Sequence, residues 1–291
     1  MRRIFSRLVP KRLRGNAVTI PVVRLSGAIM PSNSPMRQNL SLASVAGVIE
    51  KAFAVSEAPA VAIAINSPGG SPVQARLIYK RIRDLAEEKN KKVFVFVEDV
   101  AASGGYMIAL AGDEIIADPS SIVGSIGVVS AGFGFQEMIK KIGVERRVHT
   151  AGQNKAILDP FQPEKKADVE RLKALQLEIH EIFIDMVKAR RGARLADDPE
   201  LFTGLFWTGG RGLALGLVDG LGDMRSFLKE RYGEKTRLAL ITQPRGLFGR
   251  KLGVFGSGLA SPEFGASLAS GATAGLLEAA EEQALWRRFG L

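Results

Sequence analysis

Hydrophobic and polar positions recur with two different spacings between residues 18 and 242. Short runs of apolar and β-branched residues predict buried strands, and apolar residues at every third or fourth position predict amphipathic helices. The predicted strands are Ala17–Leu25, Val61–Ile65, Lys92–Val97, Ile115–Ala117, Ile122–Val129 and Val144–His149. The predicted helices are Leu40–Ala54, Pro72–Lys89, Phe133–Ile142 and Pro163–Arg191. Short strands that alternate with helices predict an α/β fold with helices on the faces of a sheet.

Composition divides the chain into three parts. Residues 1–16 are a basic segment, residues 17–242 carry the alternating pattern, and residues 243–291 are an extension. In the extension, 14 of the 20 residues from Gly256 to Gly275 are Gly, Ala or Ser, which is typical of a flexible linker. Leu276–Phe289 then shows an apolar stripe at helical spacing. This terminal helix could dock on the body, on a neighbouring subunit or on a membrane, and the pattern does not choose among them.

The net charge of +10 is concentrated near the beginning of the chain. Eight Lys and Arg residues precede the first acidic residue, Glu50, so the rest of the chain is nearly neutral. A basic lead of this kind does not predict a nucleic-acid-binding domain. Residues 1–15 place apolar side chains among six cations, which suits peripheral contact with an anionic membrane surface but is also found in frayed termini. No stretch predicts a transmembrane helix or a signal peptide.

The inventory of catalytic side chains is narrow. The chain has no cysteine and two histidines, which excludes a thiol nucleophile, thiolate zinc and disulfides. We therefore expect no histidine-rich metal site.

Two glycine-bearing loops follow two consecutive predicted strands, at the position where α/β folds usually bind ligands. The first loop is Asn66–Gly70, and the second is Ala101–Tyr106, with Ser103 at the entrance to a helix. A serine in that position is most simply a helix N-cap, but small neighbours and a helix N-terminus also suit a nucleophile. In the second case, the N–H groups of Gly70 and Gly104 could converge on an oxyanion.

A serine nucleophile requires a base, and the sequence offers few. His149 and His180 have no obvious acidic orienting residue and are more simply structural or solvated. A lysine can serve as base where burial disfavours its charged form. Lys155 lies in a loop after a predicted strand with apolar residues on its C-terminal side, but this pattern alone does not distinguish it from a solvated lysine.

Four features in order carry a resemblance to a known family. They are the segments Ile65–Gly70, Ala102–Tyr106 and Gly124–Val128, followed by Lys155 at 52 residues after Ser103. Each motif is weak alone, but together they make the chain resemble the signal peptide peptidase A family of serine proteases (peptidase family S49, with its SohB-like members). The resemblance extends over about residues 18–224. Two positions depart from the family pattern, because Ala156 stands where many relatives have an acidic residue and Asp159 where they have Ser or Thr.

The resemblance implies a fold and a set of residue roles. The fold would be Clp protease/crotonase-like, with a repeated β-β-α spiral core, a long helix and a C-terminal extension, and residues 17–242 would form the catalytic domain. Ser103 would be the nucleophile and Lys155 the general base, and Ser125 would hydrogen-bond the lysine. Gly70 and Gly104 would supply the oxyanion hole. An extended peptide is expected to pair beside Gly69–Ser71 and Gly127–Val129.

The implied function is that of a serine endopeptidase acting on signal-peptide remnants or apolar, membrane-derived peptides, without cofactor or metal. Family members assemble as homo-oligomeric rings, in some of which adjacent protomers supply the Ser and Lys of one site. The expected location is the cytoplasm or the inner face of the bacterial membrane. One alternative is a crotonase-like acyl-CoA enzyme, for which Glu98 or Asp99 could act as base. Another is a catalytically inactive scaffold.

Overall fold

The computed structural model describes residues 17–31, 39–242, 280 and 282–291. The strands are β1 Thr19–Ser26, β2 Ala60–Ser67, β3 Lys92–Ala102, β4 Glu114–Ala117, β5 Ile122–Gly124, β6 Phe206–Thr208, β7 Gly220–Leu221 and β8 Arg237–Leu240. The helices are α1 Leu42–Phe53, α2 Pro72–Glu88, α3 Gly104–Ala109, α4 Gln136–Lys141, α5 Lys166–Arg191, α6 Gly209–Ala214 and α7 Met224–Tyr232. The predicted α/β class and long helix are confirmed. The basic segment 1–16 and the Gly/Ala/Ser-rich stretch lie outside the described residues.

One mixed sheet organises the fold. Its strands run in the order β6-β5-β3-β2-β1-β8, and the neighbouring pairs are parallel except β5 with β6. β3 pairs with two strands in turn, first Phe94–Val97 with β4 and then Val100–Ala102 with β5. The carboxyl ends of β2, β3 and β5 therefore lie side by side, and ligands of α/β folds bind at such an edge.

The two faces of the sheet are covered by different layers. Helices α1, α2 and α3 pack on one face, which we call the inner face, where Ile63 and Val95 are fully buried. On the opposite, outer face, Phe227 of α7 makes edge-to-face contacts with Phe94 and Phe96 of β3. Alternate residues of β3 thus contact different helix layers, as expected for a strand buried on both faces.

The described part of the predicted terminal helix, residues 280 and 282–287, leads into a turn at residues 288–290 that docks on the body of the chain. Phe289 is only 7% exposed and packs in one cluster with Val100 and Ala102 of β3, and Trp286 packs against the same cluster. The ring of Phe289 also meets Phe206 edge to face, with 5.0 Å between the ring centroids. Of the three docking surfaces that the sequence left open, the structure therefore shows the chain's own sheet.

Residues 128–182 form a largely exposed arm that carries α4 and the first two thirds of α5. α5 is buried only near its C-terminal end, at Phe183, Val187 and Arg191. The large apolar side chains that the arm exposes include Val129, Phe133, Met138, Ile142, Val144 and Leu177. A concentration of exposed apolar side chains marks an interaction surface. Neither α5 nor another helix in the described ranges is long and apolar enough to cross a membrane.

Two strand predictions differ from the structure. The predicted strand Val144–His149 is wrong, because these mostly exposed residues on the arm pair with no strand of the sheet. The predicted strand Ile122–Val129 stops at Gly124, since Gly124 and Ser125 have φ values of 104° and 53° that turn the chain out of the sheet.

A buried ion pair joins the C-terminal end of α5 to the sheet. Arg191 donates to both carboxylate oxygens of Asp219, at 2.7 and 3.0 Å, and its side chain is 2% exposed. Asp219 also accepts from Arg194 at 2.8 Å and from the Ile115 N–H at 2.8 Å. Burial alone would raise the pKa of Asp219, but the hydrogen bonds from Arg191 and Ile115 outweigh it and hold that pKa below its ordinary value.

Replacing Asp219 by alanine should lower the free energy of unfolding at pH 7 by about 3 kcal/mol, because Arg191 would be left buried without a counter-charge. Since the folded-state pKa of Asp219 is depressed, the carboxylate stabilises the wild type at neutral pH, and this contribution is lost as the pH falls below about 4. Urea unfolding of the wild type and the variant, at pH 7 and below about pH 4, measures the difference in the free energy of unfolding. Asp84→Ala, which removes an exposed i,i+4 ion pair with Lys80, is the control and should cost under about 0.5 kcal/mol. Equal losses in the two variants at pH 7 would contradict a stabilising role for the buried pair.

Candidate active site

Ser103 lies between β3 and α3 on a sharply turned backbone. Its φ of 51° and ψ of −121° are rare for a residue with a side chain, and such strain costs about 1–3 kcal/mol. The turn is fixed on both sides, because the Ser103 N–H donates to the Gly124 carbonyl at 2.9 Å and its carbonyl accepts from the Met107 N–H at 3.0 Å. Ser103 stands at the N-cap position of α3, but its side chain makes no capping hydrogen bond to the helix. Its partly exposed hydroxyl is held in place by the backbone alone.

The first glycine loop packs directly against this turn. A Cβ built on Gly69 would lie 2.8 Å from the Ser103 Cβ and 3.0 Å from the Gly104 nitrogen. A Cβ on Gly70, where φ is 132°, would lie 2.1 Å from the Ile29 carbonyl oxygen. Only glycine fits either position without displacing the backbone. The sequence therefore places glycines where two loops and the Ile29 segment approach most closely.

The N–H groups of Gly70 and Gly104 lie close together beside Ser103. A Cβ built on Gly104 would be 3.5 Å from the Gly70 nitrogen. Within the described ranges, neither N–H has a hydrogen-bond acceptor, although Gly104 is buried and Gly70 is half-buried. Unpaired N–H groups are rare in protein interiors. Unpaired backbone donors beside a strained serine are the kind of groups that can stabilise an oxyanion in acyl transfer.

The segment Gly69–Ser71 is already paired on one side, which changes the expectation for peptide binding. The Ile29 N–H donates to the Gly69 carbonyl at 2.8 Å, and the Ser71 N–H donates to the Ile29 carbonyl at 2.7 Å. Ile29 thus occupies one edge of this segment, and a peptide strand would have to pair at the opposite edge, through the backbone of Gly70, whose N–H has no acceptor among the described residues. Val128 and Val129, by contrast, have no backbone hydrogen bond to any described residue.

Ser125 lies at the end of β5, next to the residue that binds Ser103. Its side chain is 3% exposed, its φ is 53°, and its N–H donates to the Leu205 carbonyl at 2.7 Å. Because the Gly124 carbonyl accepts from the Ser103 N–H, the two serines are held at the ends of adjacent strands. Four of the five predicted site residues, Ser103, Gly70, Gly104 and Ser125, thus lie at one edge of the sheet.

Lys155 is the predicted site residue that the single chain does not bring to this edge. It lies on the arm in a series of turns, its side chain is exposed, and its N–H donates to the Gly152 carbonyl at 3.2 Å. No hydrogen bond joins it to Ser103 or Ser125 in the part of the chain that the structure describes. A base for Ser103 therefore requires either movement of the arm or a second chain.

The other candidate bases have different surroundings. His149 is exposed on the arm, and His180 Nε2 lies 3.0 Å from the Ile126 carbonyl oxygen, as expected for a structural histidine. Glu98 accepts two hydrogen bonds from Arg24, and Asp99 accepts from Asn66 Nδ2 at 2.6 Å. These partners weaken the crotonase-like alternative, which needs one of the two carboxylates as a free base. In the described ranges, no group of three His, Asp or Glu side chains is arranged to hold a metal ion.

Asn66 has a role that the sequence analysis did not recognise. Its Nδ2 donates to Asp99 and its Oδ1 accepts from the Val100 N–H at 3.1 Å. These bonds span the point where β3 changes partner from β4 to β5 and where its register with β2 shifts, so Asn66 holds the irregular part of β3 before Ser103. The only sequence signal was its position at the end of β2, because neither partner is near it in the sequence.

Comparison with known proteins supports a protease family. The sequence model described as peptidase family S49 matches residues 86–236. A Synechocystis protein named as a protease is 33% identical over 201 residues, covering 67% of this chain and 72% of that protein. The chloroplastic serine protease SPPA of Arabidopsis thaliana is 31% identical over 216 residues, covering 73% of this chain and 32% of the relative.

A more similar relative has a different name. A Brucella abortus protein named Na(+)/H(+) antiporter NhaA is 67% identical over 290 residues, which cover 99% of this chain. The same alignment covers 39% of the Brucella protein, so the chain spans about two fifths of the length of that relative.

Proposed function

Because the chain belongs to peptidase family S49, we propose that it is a serine endopeptidase that cleaves peptide bonds with a Ser103–Lys155 dyad. The observation that carries the proposal is the strained backbone of Ser103, whose side chain makes no capping bond, beside the N–H groups of Gly70 and Gly104, which have no acceptor among the described residues. A nucleophile that the backbone holds in place, together with donors that need no rearrangement, is what acyl transfer requires.

The proposed reaction has two stages. Lys155 Nζ, in its neutral form, takes the Ser103 hydroxyl proton while Oγ forms a bond to the scissile carbonyl carbon. The carbonyl oxygen becomes an oxyanion held by the Gly70 and Gly104 N–H groups. The C–N bond then breaks, the leaving amine takes the proton from Lys155, and an ester on Ser103 remains. Water attacks this ester with Lys155 again as base, and Ser103 leaves with its proton restored.

We assign Ser125 the role of holding the lysine amine. Ser125 is nearly buried, one residue from the carbonyl that binds the Ser103 N–H. An amine that approaches Ser103 would lie at the same edge of the sheet as Ser125. The peptide would pair beside Val128 and Val129, whose backbone groups have no partner among the described residues.

We propose that a neighbouring chain in a homo-oligomeric ring supplies Lys155. The proposal is supported by the position of Lys155 on the exposed arm, which also exposes large apolar side chains such as Phe133, 76% exposed. Packing of the arm against the next chain would bury these side chains. It would also remove Lys155 from water, and desolvation favours the neutral amine that a base requires.

Co-production of Ser103→Ala and Lys155→Ala chains should restore activity that neither variant has alone. In a random mixed ring with shared sites, about one site in four joins an intact Ser103 to an intact Lys155 of the next chain. The peptidase rate of the co-purified mixture measures this recovery. A chain with both substitutions, co-produced with Lys155→Ala, is the control and should stay inactive. A mixture as inactive as its components would overturn the shared site.

The proposed substrates are apolar peptides, such as signal-peptide remnants or membrane-derived segments. This substrate class is the one that the resemblance to the signal peptide peptidase A family implies, since the apolar side chains of the arm are assigned to the contact between chains. We propose a location in the cytoplasm or at the inner face of the bacterial membrane, with peripheral contact through residues 1–15. These residues lie outside the described ranges, and the proposal rests on their cations and apolar side chains.

A further inference from the structure

The docked terminal helix covers the sheet at the strand end that carries Ser103. Phe289 packs on Val100 and Ala102 on the outer face of the sheet, and Trp286 packs beside it with Ile122. Ala102 is the residue immediately before Ser103. The helix therefore contacts the sheet one residue from the proposed nucleophile, although it is more than 180 residues away in the sequence.

The strands beneath the terminal helix are short. β5 and β6 have three residues each. β6 pairs antiparallel with β5 and forms an edge of the sheet. Their inner face is anchored because Val123 is fully buried in the main core and Trp207 packs against it. On the outer face, Phe289 meets the Phe206 ring with 5.0 Å between centroids. A three-residue strand needs packing on both faces to keep its position.

Phe289 packs on β3, which leads into Ser103, and is linked to β5 through β6. On one side it packs on Ala102 of β3, and on the other it packs on Phe206, which is paired with Gly124 of β5. The Gly124 carbonyl accepts the Ser103 N–H at 2.9 Å. This hydrogen bond joins β3 to β5 at the strained turn, so Phe289 supports the turn from the opposite face.

We infer that Phe289 is a positioning residue for Ser103, a role that rests on the proposed peptidase function. The strained backbone of Ser103 persists only while its surroundings hold it. Loss of the aromatic ring would free β5 and β6 to shift, which would move the Gly124 carbonyl and the Ser103 hydroxyl together. The substrate does not contact Phe289 in this assignment. The terminal helix therefore acts on the rate of the reaction and not on peptide binding.

The test compares two variants of the whole chain, Phe289→Ala and Phe289→Leu. The matched control is Gln283→Ala, which changes an exposed residue of the terminal helix. We expect Phe289→Ala to lower kcat by at least about tenfold with little change in KM, because small displacements of reacting groups are costly. Phe289→Leu should recover most of kcat, and Gln283→Ala should match the wild type. The rate at which a fluorophosphonate probe labels Ser103 should fall in parallel with kcat. Circular dichroism at the assay temperature verifies that each variant is folded.

Each outcome decides the inference. A folded Phe289→Ala chain with wild-type kcat and labelling rate would overturn the positioning role, while leaving the proposed peptidase function intact. A raised KM with unchanged kcat would overturn it as well, because Phe289 would then act in peptide binding. A wild-type chain that neither cleaves peptides nor reacts with the probe at Ser103 would overturn the proposed function and this role with it.

Discussion

Replacing Ser103 by alanine is expected to lower kcat/KM for an apolar fluorogenic peptide by at least about 10³-fold, as loss of the nucleophile does in other serine peptidases. Ser103 has no capping bond to lose, and its turn is held by backbone hydrogen bonds. Alanine therefore removes the reacting oxygen and leaves the surroundings in place. The unfolding midpoint should stay close to that of the wild type, which separates loss of chemistry from loss of structure.

Ser120→Ala is the matched control, because Ser120 is an exposed serine in a turn outside the site. This variant should keep full activity. In the wild type, mass spectrometry should place a fluorophosphonate adduct on the peptide that contains Ser103, and Ser103→Ala should carry no adduct there. Full peptidase activity in Ser103→Ala would show that another residue is the nucleophile.

Replacing Lys155 by alanine is expected to reduce kcat by about 10²- to 10⁴-fold, the range that a general base contributes. Lys155→Arg should not restore the rate, because a guanidinium group does not release its proton in proteins. Lys165→Ala, which removes another exposed lysine of the arm, should retain wild-type activity. The kcat values of the three variants under saturating peptide measure these differences.

The same assignment predicts how the rate depends on pH. Only the neutral amine can accept the Ser103 proton, so kcat should fall on the acid side as the base becomes protonated. A rate that is constant down to about pH 5 would contradict a lysine base. Full activity in Lys155→Ala would likewise remove Lys155 from the site.

Local sequence patterns predicted the central strands and the glycine loops at their carboxyl ends, because these features depend on residues that are close together in the sequence. The runs Val61–Ile65 and Lys92–Val97 became β2 and β3, and the glycines at 69 and 70 lie where a side chain would collide with Ser103 or Ile29. The absence of a capping bond from the Ser103 side chain could not be predicted. It depends on the backbone φ of Ser103 and on the hydrogen bond to the Gly124 carbonyl, 21 residues away in the sequence.

The arm and the terminal helix were harder to predict, for different physical reasons. Val144–His149 contains strand-forming residues, but a strand needs a neighbour, and none of the sheet reaches the arm. The stripe Leu276–Phe289 predicted a helix but not its docking site, because Val100, Ala102 and Phe206 are distant in the sequence. Lys155 was proposed from the family resemblance, and its exposed position on the arm depends on tertiary structure that no local pattern encodes.

The distance between Ser103 and Lys155 in the single chain also bears on how a cell would control such an enzyme. If each site joins two chains, a newly synthesised copy has half of every site and cannot hydrolyse its neighbours. Specific activity would then rise with protein concentration and fall on dilution, without a propeptide or an inhibitor. Abundance itself would act as the switch, and dissociation of the ring would stop proteolysis reversibly.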